Sequence, residues 1–285
     1  MTERLIAIEP KRFQPYEDAV AAAGGTPCEM SPDVRAVIWT NYADPAGLHK
    51  LILENEQLSW VQLPFAGVDA FAAVIADPAI KQRGVVFTSA KGSYREPVAE
   101  HALALCLALG RKIRERVYAK SWGKKFAKSL YDSNVLIVGG GGITEELVKL
   151  LQPFRAEITV IRKHAERALE SAAQVRVIPF EQLDSAIPDA DFIVIAAALT
   201  PETYKLFDAR RLGLMNPEAY LVNIARGPMI DTEALINALN AETIAGAAVD
   251  VTDPEPLPEG HPLWDAKVAA VAGVIVVVSS SQAPP

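Results

Sequence analysis

The sequence has almost no cysteine. Cys28 and Cys106 are its two thiols, and they form neither a C-x-x-C pair nor any ligand spacing. A disulfide framework and a structural metal site are therefore excluded, and a reducing compartment is expected. Basic clusters are lacking too: 28 Lys and Arg stand against 35 Asp and Glu, for a net charge of -7. Readers of DNA and RNA need positive patches against the phosphates, so a nucleic-acid surface is excluded. No apolar run is long enough and suitably flanked to span a membrane, and the opening MTERLIAIEP reads as the start of a strand rather than a signal peptide. A soluble, cytoplasmic protein is expected. There is no internal repeat, no low-complexity linker and no long charge run.

What the chain does have is apolar mass. Half of its 285 residues are hydrophobic, enough for about two domains. Strand-like runs alternate with helical ones, the pattern of parallel sheets covered on both faces. RLIAIEP, VRAVIWT, LSWVQLP and GVVFTS read as strands of a first series, with helices between Pro15 and Ala23 and between Pro45 and Glu56. The apolar stretch EPVAEHALALCLALGRKIRERVYAKSW reads as one long helix leading into a second domain. There VLIVG, EITVIR, VRVIP, FIVIAAA, YLVNIA and GAAVDV form a second series of strands.

The richest stretch is VLIVGGGGITEELVKLL, Val135 to Leu151, a buried strand, a glycine turn and a helix. Gly139 suits the tight turn, Gly141 has no Cβ to obstruct a phosphate, and the amides of Gly142 and Ile143 lie at the positive end of the helix. Thr144 stands where the third glycine of G-x-G-x-x-G belongs. A glycine run alone also suits a plain turn, but EITVIR follows at the spacing of a βαβ unit. At the end of that second strand, Arg162 and Lys163 replace the acid that usually holds a ribose 2′-hydroxyl. Two cations there favour a 2′-phosphate, so NADP(H) is predicted over NAD(H), although a basic strand end facing solvent has the same composition.

FAGVD (Phe65 to Asp69), PVAEHALAL (Pro97 to Leu105), the glycine turn, LTPETYKLF (Leu199 to Phe207), NIARGPMID (Asn223 to Asp231) and AAVDVTDPEPLPEGHPLW (Ala247 to Trp264) occur in one order. In that order the chain resembles the D-isomer-specific 2-hydroxyacid dehydrogenases over roughly residues 50 to 265. The resemblance implies an α/β fold of two Rossmann-like parallel-sheet domains, a nucleotide-binding domain inserted in a flavodoxin-like substrate domain, with the active site in the cleft between them. The substrate domain is expected over 1–97, with 268–285 as an atypical C-terminal remnant, and the NAD(P)-binding domain over 98–267.

The resemblance also implies roles. Arg226 matches the arginine whose planar fork holds the carboxylate and oxo oxygen of a 2-oxo acid, and the amides of Ala66, Gly67 and Val68 match the loop holding the same carboxylate. Glu255 matches the acid paired with the catalytic histidine, and Asp250 the aspartate facing the nicotinamide carboxamide. Ala198, Pro201 and Thr203 align with a loop bordering the cofactor, as does Ala225 beside Arg226. The implied substrates are small 2-oxo or 2-hydroxy acids such as glyoxylate, hydroxypyruvate or pyruvate. RERVYAKSWGKK resembles the family's dimer-forming region, so a homodimer is expected.

The catalytic histidine itself is missing. After HPLW the chain runs AKVAAVAGVIVVVSSSQAPP, which puts Val274 near its place. The four histidines, His49, His101, His164 and His261, all fall in other motifs. Two functions are therefore expected from the sequence: an NADP(H)-dependent dehydrogenase or 2-oxoacid reductase with its proton donor lost or replaced, or a catalytically silent NADP(H)-binding protein.

Overall fold

The computed structural model describes residues 4–123, 126–166, 175–266 and 269–271. Val274 and the rest of the tail beyond Val271 lie outside the described residues. The chain divides into two compact units, one up to Tyr94 and one from Arg95 onward.

The first unit is a five-stranded parallel sheet in the order β2-β1-β3-β4-β5. Its strands are β1 (Leu5–Glu9), β2 (Thr26–Cys28), β3 (Ala36–Trp39), β4 (Trp60–Gln62) and β5 (Val86–Thr88). Helices α1 (Gln14–Ala22) and α2 (Pro45–Glu54), with the short α3 (Ala72–Ala76) and α4 (Pro78–Gln82), connect them. Pro at the first turn starts three of these four helices, where its missing N–H is no loss. The core is mostly aliphatic, with Val37, Leu48, Ile52, Val61 and Ile80 fully buried around the rings of Phe71 and Trp39.

The second unit is a seven-stranded parallel sheet in the order β12-β11-β10-β9-β6-β7-β8. It runs through β6 (Asn134–Val138), β7 (Glu157–Ile161), β8 (Arg176–Ile178), β9 (Phe192–Ile195), β10 (Tyr220–Asn223), β11 (Gly246–Val249) and β12 (Ala269–Val271). β9, β10 and β11 are buried at every position, which is why they read as unbroken apolar runs instead of alternating ones. Helices α5 (Arg95–Gly110), α6 (Ile113–Tyr118), α7 (Gly142–Leu151), α8 (Leu183–Ala186), α9 (Ala209–Leu212), α10 (Thr232–Asn240) and α11 (Pro262–Asp265) complete the unit. α5 packs on α7 and against β10 and β11.

Two expectations are corrected. The long helix is broken, for α5 ends at Gly110 and Lys112 takes a left-handed conformation (φ 51°) before α6. A Cβ on Gly110 would lie 2.6 Å from the Lys128 carbonyl oxygen, so this glycine lets the returning chain press on the helix end. Within the remnant expected in the first domain, 268–285, the described residues Ala269–Val271 pair instead in parallel with β11 in the second sheet, where an apolar run beside an open sheet edge satisfies its backbone. Among the described residues no helix is long and apolar enough to cross a membrane, and no His, Cys, Asp and Glu side chains group as a metal site.

Candidate active site

The site residues of the second unit stand in a row at the carboxyl ends of adjacent strands. From β7 through β6, β9 and β10 to β11, these ends carry Arg162, then Gly139 to Gly142, then Ala198 to Thr203, then Ala225 and Arg226, then Asp250. Strand order reverses between β6 and β9, and in open α/β sheets such a switch point opens a crevice for ligands.

The glycine turn has the stereochemistry that its sequence promised. Gly139 sits at φ +119°, and a Cβ there would lie 2.5 Å from the Ala196 carbonyl oxygen. Gly141 caps α7 in an extended conformation and has open space where a Cβ would go, so the backbone is bare toward a ligand. Gly142 and Ile143 open the helix. Thr144, in place of the third glycine, is fully buried and donates its hydroxyl to the Gly139 carbonyl at 2.8 Å, tying the helix to the turn. These features fit a dinucleotide pyrophosphate.

Sequence reasoning passed over two neighbours of this turn. A Cβ on Gly140 would lie 2.9 Å from Cδ and Nε of Arg162, so glycine here lets the arginine lie across the turn. Lys163 beside it is exposed. Arg95, at the start of α5, reaches the other side: its Cδ is 3.5 Å from where a Gly142 Cβ would stand, and its Nε is 3.4 Å from Glu146 Oε1.

The loop after β9 is closed by Thr203. Its hydroxyl donates to the Ala198 carbonyl at 2.8 Å and accepts from the Thr200 amide at 2.7 Å. Ala198 and Pro201 are exposed on this loop, and hydrogen bonding from Thr200 holds the Glu202 carboxyl below its usual range.

Arg226 follows β10 in an extended conformation and is half-buried, with Nη1 donating to the Ala225 carbonyl at 2.7 Å. Asn223, fully buried, clamps the turn by donating to the Arg226 carbonyl at 2.9 Å and accepting from the Ala225 amide at 3.0 Å. A Cβ on Gly227 would collide with the Thr252 carbonyl, so the arginine turn is pressed against the loop leading to Glu255. Glu255 is exposed. Asp250, just past β11, is 8% exposed and lies 3.4 Å from His101 Nε2 on α5.

The other histidines are engaged elsewhere. His49 pairs with Asp77 at 3.0 Å, His261 Nδ1 accepts from the Leu263 amide at the start of α11, and exposed His164 lies 3.3 Å from Glu166. Among the described residues none is bonded to Glu255. Cys106 is buried on α5, and burial pushes its thiol up to about 12, which makes it an inert packing residue.

In the first unit Ala66, Gly67 and Val68 form the loop after β4, with Ala66 and Val68 exposed. The Ala90 amide donates to the Phe65 carbonyl at 3.2 Å, and Phe65 meets Tyr42 edge-on at 5.4 Å, which braces one end of the loop.

Residues 103–272, more than half of the chain, match the model of the D-isomer specific 2-hydroxyacid dehydrogenase NAD binding domain. An uncharacterized protein of Corynebacterium melassecola is 38% identical over 221 residues, 74% of this chain and 69% of that one. The glyoxylate reductase/hydroxypyruvate reductase of Mus musculus is 31% identical over 268 residues, 91% of this chain and 76% of that one. Among solved structures, a D-isomer specific 2-hydroxyacid dehydrogenase family protein from Aeromonas salmonicida superposes with a TM-score of 0.77 at 23% identity, over 98% of this chain and 93% of that one. Sequence and fold agree, and the chain belongs to the D-isomer-specific 2-hydroxyacid dehydrogenases, a family of oxidoreductases with a nicotinamide-binding domain.

Proposed function

We propose that the chain is an NADP(H)-preferring reductase of small 2-oxo acids, with NAD(H) as the weaker cofactor. The observation that carries this reading is the row at the carboxyl edge of the second sheet: glycine turn, Thr203 loop, Arg226 and Asp250 on adjacent strands. Bound there, a nicotinamide would supply the hydride to C2, and the oxygen would take its proton from water. The chain's part is to hold and polarise the acid. Arg226 offers a forked donor to the carboxylate and the oxo oxygen, stabilising negative charge on that oxygen as it develops. In the first unit, the loop of Ala66, Gly67 and Val68 offers backbone amides suited to a carboxylate. Gly139, Gly141, Gly142 and Ile143 receive the pyrophosphate, Thr203 with Ala198 and Ala225 borders the dinucleotide, and Asp250 accepts from the carboxamide.

Arg162 and Lys163 decide the cofactor. The Arg162 side chain lies against the glycine turn at Gly140, and there its guanidinium would pair with a 2′-phosphate. Replacing it with Asp should invert the preference, because a carboxylate repels the phosphate and accepts from a free 2′-hydroxyl. The assay is NADPH oxidation against glyoxylate, hydroxypyruvate and pyruvate, with Arg226→Ala as the control and Arg162→Asp compared on both cofactors. Turnover that vanishes in Arg226→Ala supports the reductase. An unchanged NADPH-to-NADH ratio in Arg162→Asp removes the NADP(H) assignment.

A second reading, a silent NADP(H)-binding protein, is favoured by one observation: among the described residues no histidine is bonded to Glu255. Loss of a general acid typically lowers rates by about a hundred- to ten-thousand-fold. NADPH binding without turnover on any 2-oxo acid is the result that selects this reading. The exposed apolar face of α6 and the turn after it supports a homodimer.

A further inference from the structure

We propose that His101 is a positioning residue, which fixes the Asp250 carboxylate so that it can accept from the carboxamide of a bound nicotinamide. The inference rests on the reading of the second sheet's carboxyl edge as a dinucleotide site.

Two buried polar atoms face one another across α5 and the end of β11. His101 Nε2 and Asp250 Oδ1 are 3.4 Å apart, both are shielded from solvent, and neither has a hydrogen-bond partner. A buried carboxylate oxygen without a donor is costly, so side chains stay in such an arrangement only where something completes it. The histidine's backbone is fixed, because α5 buries Val98, Ala99, Ala102, Leu105 and Cys106 around it and packs against β10 and β11. The aspartate's is fixed as well: its amide donates to the Asn223 carbonyl at 2.9 Å, which extends the ladder between β10 and β11 by one bond. Only the side chains are left to adjust. A shift of a few tenths of an ångström turns the 3.4 Å approach into a charge-assisted hydrogen bond from Nε2–H to Oδ1. With one oxygen held in that way, the other is presented to a ligand N–H with little remaining freedom. The imidazole therefore acts through the carboxylate and has no need to touch the ligand.

Ligand selectivity separates this role from simple packing. A histidine that merely fills space would affect every ligand of the unit alike, whereas one that orients Asp250 affects only ligands with a carboxamide. The test compares NADPH with 2′-phospho-ADP-ribose, which carries the adenosine, the 2′-phosphate and the pyrophosphate but no nicotinamide. Both are titrated against the full chain, NADPH by its own fluorescence and the fragment by competition or calorimetry. In His101→Leu the affinity for NADPH should fall about tenfold to a hundredfold, as expected for a lost hydrogen bond to a charged group, while that for the fragment stays within about twofold. His101→Gln places an amide nitrogen near the position of Nε2 and should restore most of the NADPH affinity. His101→Asn keeps the same chemistry with a shorter reach and should not, so the comparison survives even where leucine prevents folding.

Equal losses for both ligands, no loss for either, or equal NADPH affinity in the Gln and Asn variants would each overturn the proposal. A wild-type chain that binds neither ligand removes the dinucleotide reading, and this inference with it. A wild type that binds both, with variants that bind NADPH unchanged, removes this inference alone.

Discussion

At the scale of single residues, the site depends on backbone approaches that only particular side chains permit. Gly227 is the sharpest case, since any Cβ there meets the backbone of Thr252 and Asp253 and no flexible side chain can yield. Gly227→Ala should therefore cost about 1–3 kcal/mol of stability through overpacking and displace Arg226, its neighbour. We expect a lower midpoint in chemical denaturation and, in the folded fraction, turnover reduced more than NADPH affinity. Turnover equal to wild type would mean that the turn absorbs the methyl without moving the arginine. This contact also marks the limit of sequence reading. The glycine turn and Arg162 were legible because their partners lie within one βαβ unit, where spacing is fixed by strand and helix geometry. Gly227, Asn223 and His101 were not, because what makes them matter is a backbone or carboxylate that only sheet order brings near. His101 was read as one more member of its helix motif, and no local pattern distinguishes a histidine that faces Asp250 from one that faces solvent.

At the scale of elements, β9 and β10 of the second sheet were legible because strands buried at every position read as unbroken apolar runs, whereas β3 and β4 of the first sheet, buried only at alternate positions, were legible as short Val-bearing runs flanked by turn residues. β2 escaped notice: it is three residues, Thr26–Cys28, with Pro27 at its centre, and a proline-bearing run is tolerated only at the sheet edge, where β2 lies. The ends of short helices depend on electrostatics that pattern does not weigh. Asp231 starts α10 by accepting from the Ala234 amide at 3.2 Å and also takes a 2.9 Å ion pair from Lys205. The hydrogen bond from Lys205 chiefly, and then that from Ala234, hold its carboxyl below the ordinary value of 3.8. A carboxylate whose pKa is lower in the folded than in the unfolded chain contributes stability above the unfolded value and loses it as pH falls through the folded one. Asp231→Asn keeps a capping oxygen and loses the charge. The stability gap between wild type and this variant should be largest near neutrality and close below pH 3.8, read from urea midpoints across that range. A gap that does not change with pH would assign the contribution to capping alone.

At the scale of the whole molecule, each unit buries its own aliphatic core, so neither depends on the other for a hydrophobic centre. The surface of the second unit is less complete. Ile113, Val117 and Tyr118 on α6 are exposed, and Trp122 in the turn that follows is 95% exposed, its carbonyl held by Arg116 Nη1 at 2.8 Å. Scattered apolar side chains need no explanation, but four of them within ten residues, on a short helix and a tethered turn, form a patch that water does not favour. In the homodimer proposed above, a second copy of the chain would cover this patch with the same side chains, since a two-fold interface is complementary to itself. Burying a tryptophan removes roughly 200 Å² from water, worth about 5 kcal/mol at about 25 cal/mol per Å² before side-chain ordering is subtracted, and a two-fold interface does this twice. Light scattering should therefore report the mass of two chains. Trp122→Asp, which puts a charge into each copy of the patch, should shift that mass toward one chain and leave the far-ultraviolet circular dichroism unchanged. A wild type that scatters as a single chain at micromolar concentration would contradict the homodimer and leave the patch without an occupant. A variant that stays dimeric would move the interface away from Trp122 to another face of the unit.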